Sequence, residues 1–432
     1  MFASARGVLS DLRGDGRGWV LLVVAGGWFL LLGSRVVLPA VLPQVRATFG
    51  IDNATAGLVV TLVWTSYALT QFPSGLLSDR IGERATLVLS AVASFVALTV
   101  FALAPSFELF VLAGIAFGLG SGLYATPRVT LLQKVFAGRT NSALGITFSS
   151  GNAGAAVLPV VAGFIAVALG WRAGLIFVAP AIGLLAVGLW IHAPRSVDGD
   201  DTGGGLDAPP REIARRVRDV VSHRAVLLSA LSMTLVLFTY QGITAFLPTY
   251  LIEMKGFSPT TAATLYGLFY ATGAVSQSLL GGIADRMGET KVLVVFSVAG
   301  VFTLVALVFV QSVYLVAVVI GLLGTRLGLG SVGNGYAADI LPEDVQGTVY
   351  GLFRTVFIGV GSLGSFFVGY LASIGLFDEA FLAMGAATGV AAIAFARLPD
   401  PEEPTYDSPK VSRRGAVAPG DDTAGKRDDT TD

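Results

Sequence analysis

The chain of 432 residues has no cysteine and only two histidines, His192 and His223. The lack of cysteine excludes disulfide bonds, a thiol nucleophile and a thiolate metal site. Both histidines flank one polar segment in the middle of the chain, so a His-rich metal cluster is excluded as well. The sequence therefore predicts no metal, no cofactor and no enzyme.

Charged residues are also scarce, at 13% of the chain, and the net charge of −1 gives no reason to expect a nucleic-acid partner. Hydrophobic residues make up 54%, well above the share in soluble domains, and glycine is abundant at 54 residues. The chain is predicted to be an integral membrane protein in contact with the lipid bilayer. Residues 1–18 are polar, and the apolar stretch after them is long enough to span a membrane, so no cleaved signal is predicted.

Apolar runs of about 20 residues, the length needed to cross a hydrocarbon core, occur at twelve places. They lack the alternation of barrel strands, so they are predicted to be helices. The predicted fold is all-α, with 12 transmembrane helices in two pseudo-symmetric six-helix bundles. The predicted spans are Trp19–Pro43, Ala54–Leu76, Ala85–Ala104, Phe107–Leu132, Ser142–Ala168, Ala173–His192, Ala225–Ile252, Thr260–Ile283, Val292–Val310, Tyr314–Ala338, Thr348–Ser373 and Ala380–Ala396.

The spans divide the chain into five predicted regions: an N-terminal segment (1–18), a first bundle (19–192), an inter-bundle loop (193–224), a second bundle (225–396) and a disordered tail (397–432). Apolar residues at helical spacing predict a short surface helix at 211–221 within the loop. Lys and Arg between spans lie almost entirely on one side, with Arg46, Arg172 and Lys255 on the other. This imbalance predicts that both termini and the loop are cytoplasmic, and that the protein lies in the cell membrane.

The polar turn from Gly75 to Arg84, Gly-Leu-Leu-Ser-Asp-Arg-Ile-Gly-Glu-Arg, separates the second and third spans. A weaker copy begins at Gly281, so the offset between the copies is 281 − 75 = 206 residues. The same offset superimposes further residues without gaps, although Gly154 falls on Val360. These pairs are Gln71 with Gln277, Gly118 with Gly324, Gly122 with Gly328, Gly145 with Gly351 and Gly163 with Gly369. The pattern indicates two similar halves, with a binding site expected near the midplane between them.

This turn, together with its repeat and the span count, resembles the signature loop of the major facilitator superfamily. The resemblance implies a monomeric secondary transporter in which one bundle rocks against the other around a central site. It also implies that Asp79 acts as a latch at the amino end of the eleventh span. Thr290 stands where the first copy has Arg84. The predicted gating residues are Gly75, Asp79, Arg80, Gly82, Arg84, Gly281, Asp285, Arg286 and Gly288.

Four arginines, Arg35, Arg128, Arg326 and Arg354, lie inside predicted spans, whereas acidic residues occur only at or beside span ends. A charge at this depth is costly, so each arginine is expected to face the bundle interior. An anionic substrate is the simplest compensation, because a guanidinium binds carboxylate or phosphate through two N–H groups. Arg354 lies near a span end and is expected to reach the surface or to serve the gate.

The 206 offset relates Arg35 to Gln241 and Arg128 to Asn334, and these four residues form the predicted binding site. Arg326 and Tyr240 are added as further candidates. The paired arginines resemble those of the organic-anion and organophosphate branch of the superfamily. This chain departs from that branch because no acidic residue lies near either arginine. Trp28 and Trp64 are predicted to be packing or access-path residues.

The leading hypothesis is therefore a transporter for a small organic anion, a symporter coupled to a proton or another ion. Proton-coupled efflux of drugs or metabolites is an alternative, but the Gly-Pro pair of the efflux branch is missing from Gly154 to Pro159. A sensor that binds a ligand without moving it is a third hypothesis. The substrate, the coupling ion and the direction of transport do not follow from the sequence.

Overall fold

The computed structural model describes residues 17–136, 139–194, 215, 218, 220–341 and 346–399. Within these ranges the regular structure is helical, as predicted. The N-terminal segment, most of the inter-bundle loop with its predicted surface helix, and the tail from residue 400 lie outside the described residues.

Among the described residues, twelve helical segments correspond to the twelve predicted spans. In chain order the spans are Arg17–Phe49; Asn53–Leu69 with Gln71–Ile81; Glu83–Leu103; Phe107–Gly122 with Ala125–Val135; Thr140–Leu169; Trp171–Ile176 with Ala179–His192; Arg224–Glu253; Pro259–Met287; Glu289–Phe309; Val313–Gly324 with a 3₁₀ turn at Thr325–Leu327 and Gly328–Asp339; Gln346–Ser373; and Phe377–Phe395. The ordinal names used below refer to these spans.

Ten spans are long and apolar enough to cross a membrane by themselves. The second and eighth are the exceptions, and they are equivalent in the repeat. Asn53–Leu69 is a shorter apolar helix, while Pro259–Met287 carries several Thr and Ser residues and the charged second copy of the turn. This polar content is typical of spans whose side chains contact the opposite bundle and not lipid.

Four predicted spans are interrupted, and in three of them a proline follows the break. The second span breaks at Thr70, the fourth at Leu123 and Tyr124, and the sixth at Phe177 and Val178. Pro73, Pro127 and Pro180 each follow within a few residues. A proline has no N–H to donate to the carbonyl four residues earlier, so the helix is weakened there. The hydroxyl of Thr70 donates to the carbonyls of Ser66 and Tyr67 at its break.

The duplication is also present in the packing. A Cβ at Gly118 would overlap the carbonyl oxygen of Val63, and one at Gly324 would overlap that of Phe269. Both partners obey the 206 offset, since 324 − 118 = 206 and 269 − 63 = 206. The fourth and tenth spans thus approach the second and eighth through equivalent glycines.

The residue offset between the two halves is not 206 at the contact of the first span with the fifth. Gly154 lies against the carbonyl of Phe29, and Gly364 lies against that of Phe238. These pairs differ by 364 − 154 = 210 and 238 − 29 = 209 residues, so this contact is about one helical turn further along in the second half. That shift explains why Gly154 falls on Val360 when 206 is applied throughout.

The two bundles pack closely at the end that carries Glu253. Arg46 of the first span forms an ion pair of 2.6 Å with Glu253 of the seventh. Gly57 packs on the carbonyl of Ser365, and Gly369 packs on that of Asn53. At the opposite end, Asp79 is exposed and has no hydrogen bond or ion pair with any described residue. The Glu253 end of the molecule is therefore closed.

Candidate functional site

Arg35 lies near the middle of the first span and is only 2% exposed. Its guanidinium carbon is 3.7 Å from the ring centroid of Tyr67, 5.0 Å from that of Trp64 and 5.4 Å from that of Trp28. Each cation–π contact contributes about 0.5–2 kcal/mol, which helps to offset the burial of the charge. All three guanidinium nitrogens are buried, and none has a hydrogen-bond partner among the residues that the structure describes, so these contacts leave the N–H donors unused.

Arg128 of the fourth span is buried in a similar way, at 3% exposed. Its guanidinium carbon is 3.9 Å from the ring centroid of Trp28 and 4.9 Å from that of Phe148. Its Nε and Nη1 atoms are buried without a hydrogen-bond partner. The indole of Trp28 therefore contacts both arginines and places them beside each other. We call Arg35, Arg128, Trp28, Trp64, Tyr67 and Phe148 the arginine–aromatic cluster.

A third arginine, Arg354 of the eleventh span, is half-buried, and its Nε atom is buried without a hydrogen-bond partner among the described residues. Its predicted role at the surface or the gate stays a prediction. No carboxylate pairs with Arg35 or Arg128 in the part of the chain that the structure describes. The cluster thus combines positive charge with unused N–H donors, the arrangement that binds carboxylate, sulfonate or phosphate groups.

Gln241 and Tyr240 of the seventh span supply neutral polar groups. Gln241 is 1% exposed, and neither of its side-chain amide atoms has a hydrogen-bond partner. Tyr240, the preceding residue, is half-buried. Its hydroxyl is 3.1 Å from that of Tyr270, which in turn is 3.4 Å from that of Tyr266. These residues could receive the neutral part of a ligand whose charged group binds Arg35.

The structure places the other two predicted binding residues differently. Arg326 donates from Nη2 to the Thr239 hydroxyl at 2.7 Å and to the Thr388 hydroxyl at 3.1 Å. Its aliphatic stem lies against Gly300 of the ninth span. Asn334 is half-buried and donates to the carbonyl of Gly330 in its own helix. Within the described residues, no hydrogen bond or cation–π contact joins Arg326 to the arginine–aromatic cluster. A place for Arg326 and Asn334 in the binding site stays a prediction.

The predicted gating residues lie at the end opposite Glu253. Gly82 and Gly288 have φ values of 86° and 88°, a left-handed conformation that favours glycine in both copies of the turn. Arg84 donates to the carbonyl of Trp190, and its guanidinium carbon is 4.6 Å from that indole centroid. This contact stays within the first bundle, so Arg84 joins the third span to the sixth in this conformation.

The remaining residues of the turn are near the surface. Gly75 is half-buried and open enough that a Cβ there would meet only the Thr126 methyl, at 3.6 Å. Arg80, Asp285 and Arg286 are exposed, as is Gly281. They form no hydrogen bond or ion pair within the described ranges. A gating role for this set, Asp79 included, stays a prediction.

Sequence reasoning missed the aromatic part of the cluster, because Trp28 and Trp64 were predicted to pack or to line an access path. One signal was available. Trp28 and Arg35 are seven residues apart, so they lie on the same face of a helix. The contacts of Arg35 with Trp64 and of Arg128 with Phe148 depend on neighbouring spans and had no such local signal.

Comparison with known proteins supports the fold and the family. The family model of the Major Facilitator Superfamily matches residues 23–362. The membrane sensor protein UhpC of Escherichia coli is 24% identical over 288 residues, which are 62% of this chain and 64% of that protein. The chain therefore aligns with less than two thirds of the length of that relative. The probable sulfoacetate transporter SauU of Cupriavidus necator is 25% identical over 407 residues, or 88% of this chain and 93% of that protein.

Two further similarities cover most of the chain. The hexuronate transporter of Bacillus subtilis is 23% identical over 395 residues, or 85% of this chain and 91% of that protein. A bacterial homologue of the human lysosomal transporter Spinster, solved in an inward-facing and unoccupied conformation, has a TM-score of 0.75. It is 16% identical and covers 89% of this chain and 97% of its own. The family match and the duplicated twelve-span fold agree, and the chain belongs to the major facilitator superfamily.

Proposed function

We propose that the protein is a secondary transporter that moves a small organic anion across the cytoplasmic membrane by alternating access. One observation carries the proposal: Arg35 and Arg128 are buried against the same indole, with unused N–H donors and no carboxylate paired with them among the described residues. Leaving buried charged donors unpaired costs several kcal/mol. A bound anion restores those hydrogen bonds and neutralises the charge.

The names of the relatives support an anionic substrate. One is called a probable sulfoacetate transporter, another a hexuronate transporter, and a protein of Chlamydia trachomatis a probable hexose phosphate transport protein. Sulfonate, carboxylate and phosphate groups all accept two parallel hydrogen bonds from a guanidinium. In our proposal Gln241 and Tyr240 bind the uncharged part of such a substrate, while Asn334 contributes only after a rearrangement.

The proposal also assigns an orientation. The Glu253 end faces outward and the Asp79 end faces the cytoplasm, with both termini on the cytoplasmic side, because the basic residues between spans concentrate there. The closed Glu253 end then corresponds to an inward-facing conformation, in which Asp79 is released from its latch. We expect a monomer without enzymatic activity, coupled to a proton or another ion.

The test uses purified protein, first in a thermal-shift screen and then in vesicles with and without a pH gradient. The panel contains glucuronate, sulfoacetate and glucose 6-phosphate. Replacing Arg35 or Arg128 by Gln should weaken binding about 10- to 100-fold, since a hydrogen bond to a charged group contributes about 1.5–3 kcal/mol. Arg397→Gln is the matched control, because Arg397 is exposed and lies beyond the last span. Unchanged uptake of every transported anion in both variants would disprove the proposal.

A sensor is the second candidate, and the name of UhpC is the observation that favours it. A sensor of this kind would bind an anion of the panel with high affinity and show no flux in vesicles. A transporter would show both. The same binding and flux measurements on the wild-type protein therefore separate the two functions.

Export is the remaining alternative, and a nitrite extrusion protein of Bacillus subtilis is 23% identical over 332 residues. Vesicles loaded with the anion on one side give its direction under an imposed pH gradient. A proton-coupled drug exporter would instead protect a host that lacks its own pumps, and it would be insensitive to the Arg35→Gln change. Protection of that kind would replace the uptake proposal.

A further inference from the structure

The ring of Trp28 contacts both unpaired cations, Arg35 and Arg128. Its ring centroid is 5.4 Å from the guanidinium carbon of Arg35 and 3.9 Å from that of Arg128. The two carbons are therefore at most 5.4 + 3.9 = 9.3 Å apart. Like charges this close in a membrane interior repel strongly. The indole lies against both and partly compensates for that repulsion through its π-electrons.

The fifth span holds the indole in place. Gly151 packs directly on it, and a Cβ at this position would overlap Trp28 Cδ1 and Nε1. Leu32 Cδ2 would lie 3.1 Å from that Cβ. Trp28 is 7% exposed and makes no hydrogen bond with any described residue. Gly151 thus provides the space into which the ring fits, so the position of the ring depends on the absence of a side chain there.

Building on the proposed function, we propose that Trp28 is a positioning residue that fixes the spacing of Arg35 and Arg128, and that this spacing selects doubly charged anions over singly charged ones. A dianion can bind both guanidinium groups at once and neutralise both charges. A monoanion neutralises only one. Without the indole the two cations relax apart, and the advantage of the dianion is lost while each arginine still binds a single charge.

The test compares inorganic sulfate with methyl sulfate, which share a tetrahedral head group and differ by one charge. Their affinities are measured by titration with the purified full-length protein. The wild type should bind sulfate at least tenfold more tightly than methyl sulfate. In Trp28→Leu the sulfate affinity should fall about tenfold and the methyl sulfate affinity less than threefold. Trp28→Phe keeps a ring and should restore part of the preference.

A second variant should displace the indole without replacing Trp28. Gly151→Ala should displace the indole and reduce the preference for sulfate, as Trp28→Leu does. Gly145→Ala is the matched control in the same span, because a Cβ at Gly145 would meet nothing within 4 Å. This control should keep the wild-type preference. Thermal unfolding of each variant identifies any that has lost its fold.

The outcomes separate this inference from the proposed function. If no anion binds the wild type, the proposed function fails and the inference fails with it. If the wild type binds anions but does not prefer sulfate, or if Trp28→Leu weakens both probes equally, only the role of Trp28 is overturned. A preference that survives in both Trp28→Leu and Gly151→Ala would overturn it too.

Discussion

The two halves of the molecule bury arginine in opposite ways. In the first half, Arg35 and Arg128 contact aromatic rings and keep buried N–H donors unused. In the second half, Arg326 gives N–H donors to the hydroxyls of Thr239 and Thr388. Those hydroxyls donate in turn to carbonyls of their own helices, so they are available as acceptors. The first arrangement leaves buried donors available for a ligand. In the second, the Nη2 donors are used within the protein and Nε has no hydrogen-bond partner among the described residues.

The repeat explains why Arg326 has no counterpart in the first half. The equivalent of Arg326 is Gly120, and the equivalent of Gly300 is Ser94, because 326 − 206 = 120 and 300 − 206 = 94. A Cβ at Gly120 would lie 3.1 Å from the backbone nitrogen of Ser94. An arginine would not fit there. In the second half the glycine of this contact, Gly300, lies on the ninth span, and it leaves space for the aliphatic stem of Arg326 on the tenth.

The largest expected difference follows from replacing an arginine by lysine in each half. Arg35→Lys should weaken anion binding at least tenfold, because an ammonium lacks the planar set of donors and stacks poorly on rings. Arg326→Lys should change the affinity less than threefold. Titration of both variants with the tightest-binding anion measures this contrast. An equally large loss of anion affinity in Arg326→Lys would show that Arg326 belongs to the binding site, as predicted from the sequence.

A smaller effect is expected on stability and not on binding. In Gly300→Ala the new methyl group would lie 2.6 Å from Cδ of Arg326, so the packing must shift at a cost of about 1–3 kcal/mol. Thermal unfolding in detergent should show a lower Tm with unchanged anion affinity. Gly359→Ala is the control, because a Cβ there would meet nothing within 4 Å. Equal Tm values for the two variants would show that Arg326 is not held against the ninth span.

The smallest effect concerns the contact that joins the two halves. Arg46 and Glu253 have side chains 20% and 37% exposed, so their ion pair contributes at most about 1 kcal/mol. Glu253→Gln should therefore raise the population open at this end up to about fivefold.

The chain has no cysteine, so a single Asn53→Cys change gives one site for an impermeant maleimide. Asn53 is buried against the opposite bundle, and faster labelling reports opening. Unchanged labelling in Glu253→Gln would show that the glycine contacts alone keep this end closed.

The fold could be predicted largely from the sequence, because span length and repeated glycines are local or periodic signals. The all-helical architecture, the two bundles and the superfamily are confirmed. The site could be predicted only in part. Arg35, Arg128 and Gln241 are buried and Tyr240 is half-buried, while Arg326 and Asn334 form hydrogen bonds with other residues; the binding role of all six stays a prediction. A single offset of 206 also did not predict the pairing of Gly154 with Gly364. The additional helical turn can be recognised only from the residues that these glycines pack against.

The sequence by itself determined that charge would be buried in the membrane, because four arginines occur inside apolar spans whose acidic residues lie only at or beside their ends. It could not determine which of them would stay unpaired. That depends on side chains brought close by tertiary structure. Arg326 reaches hydroxyls 87 and 62 residues away in the chain, whereas Arg35 meets rings from the second span. Hydrogen bonds and cation–π contacts act over a few ångströms, so only the packing of the spans decided which arginines remain free to bind an anion.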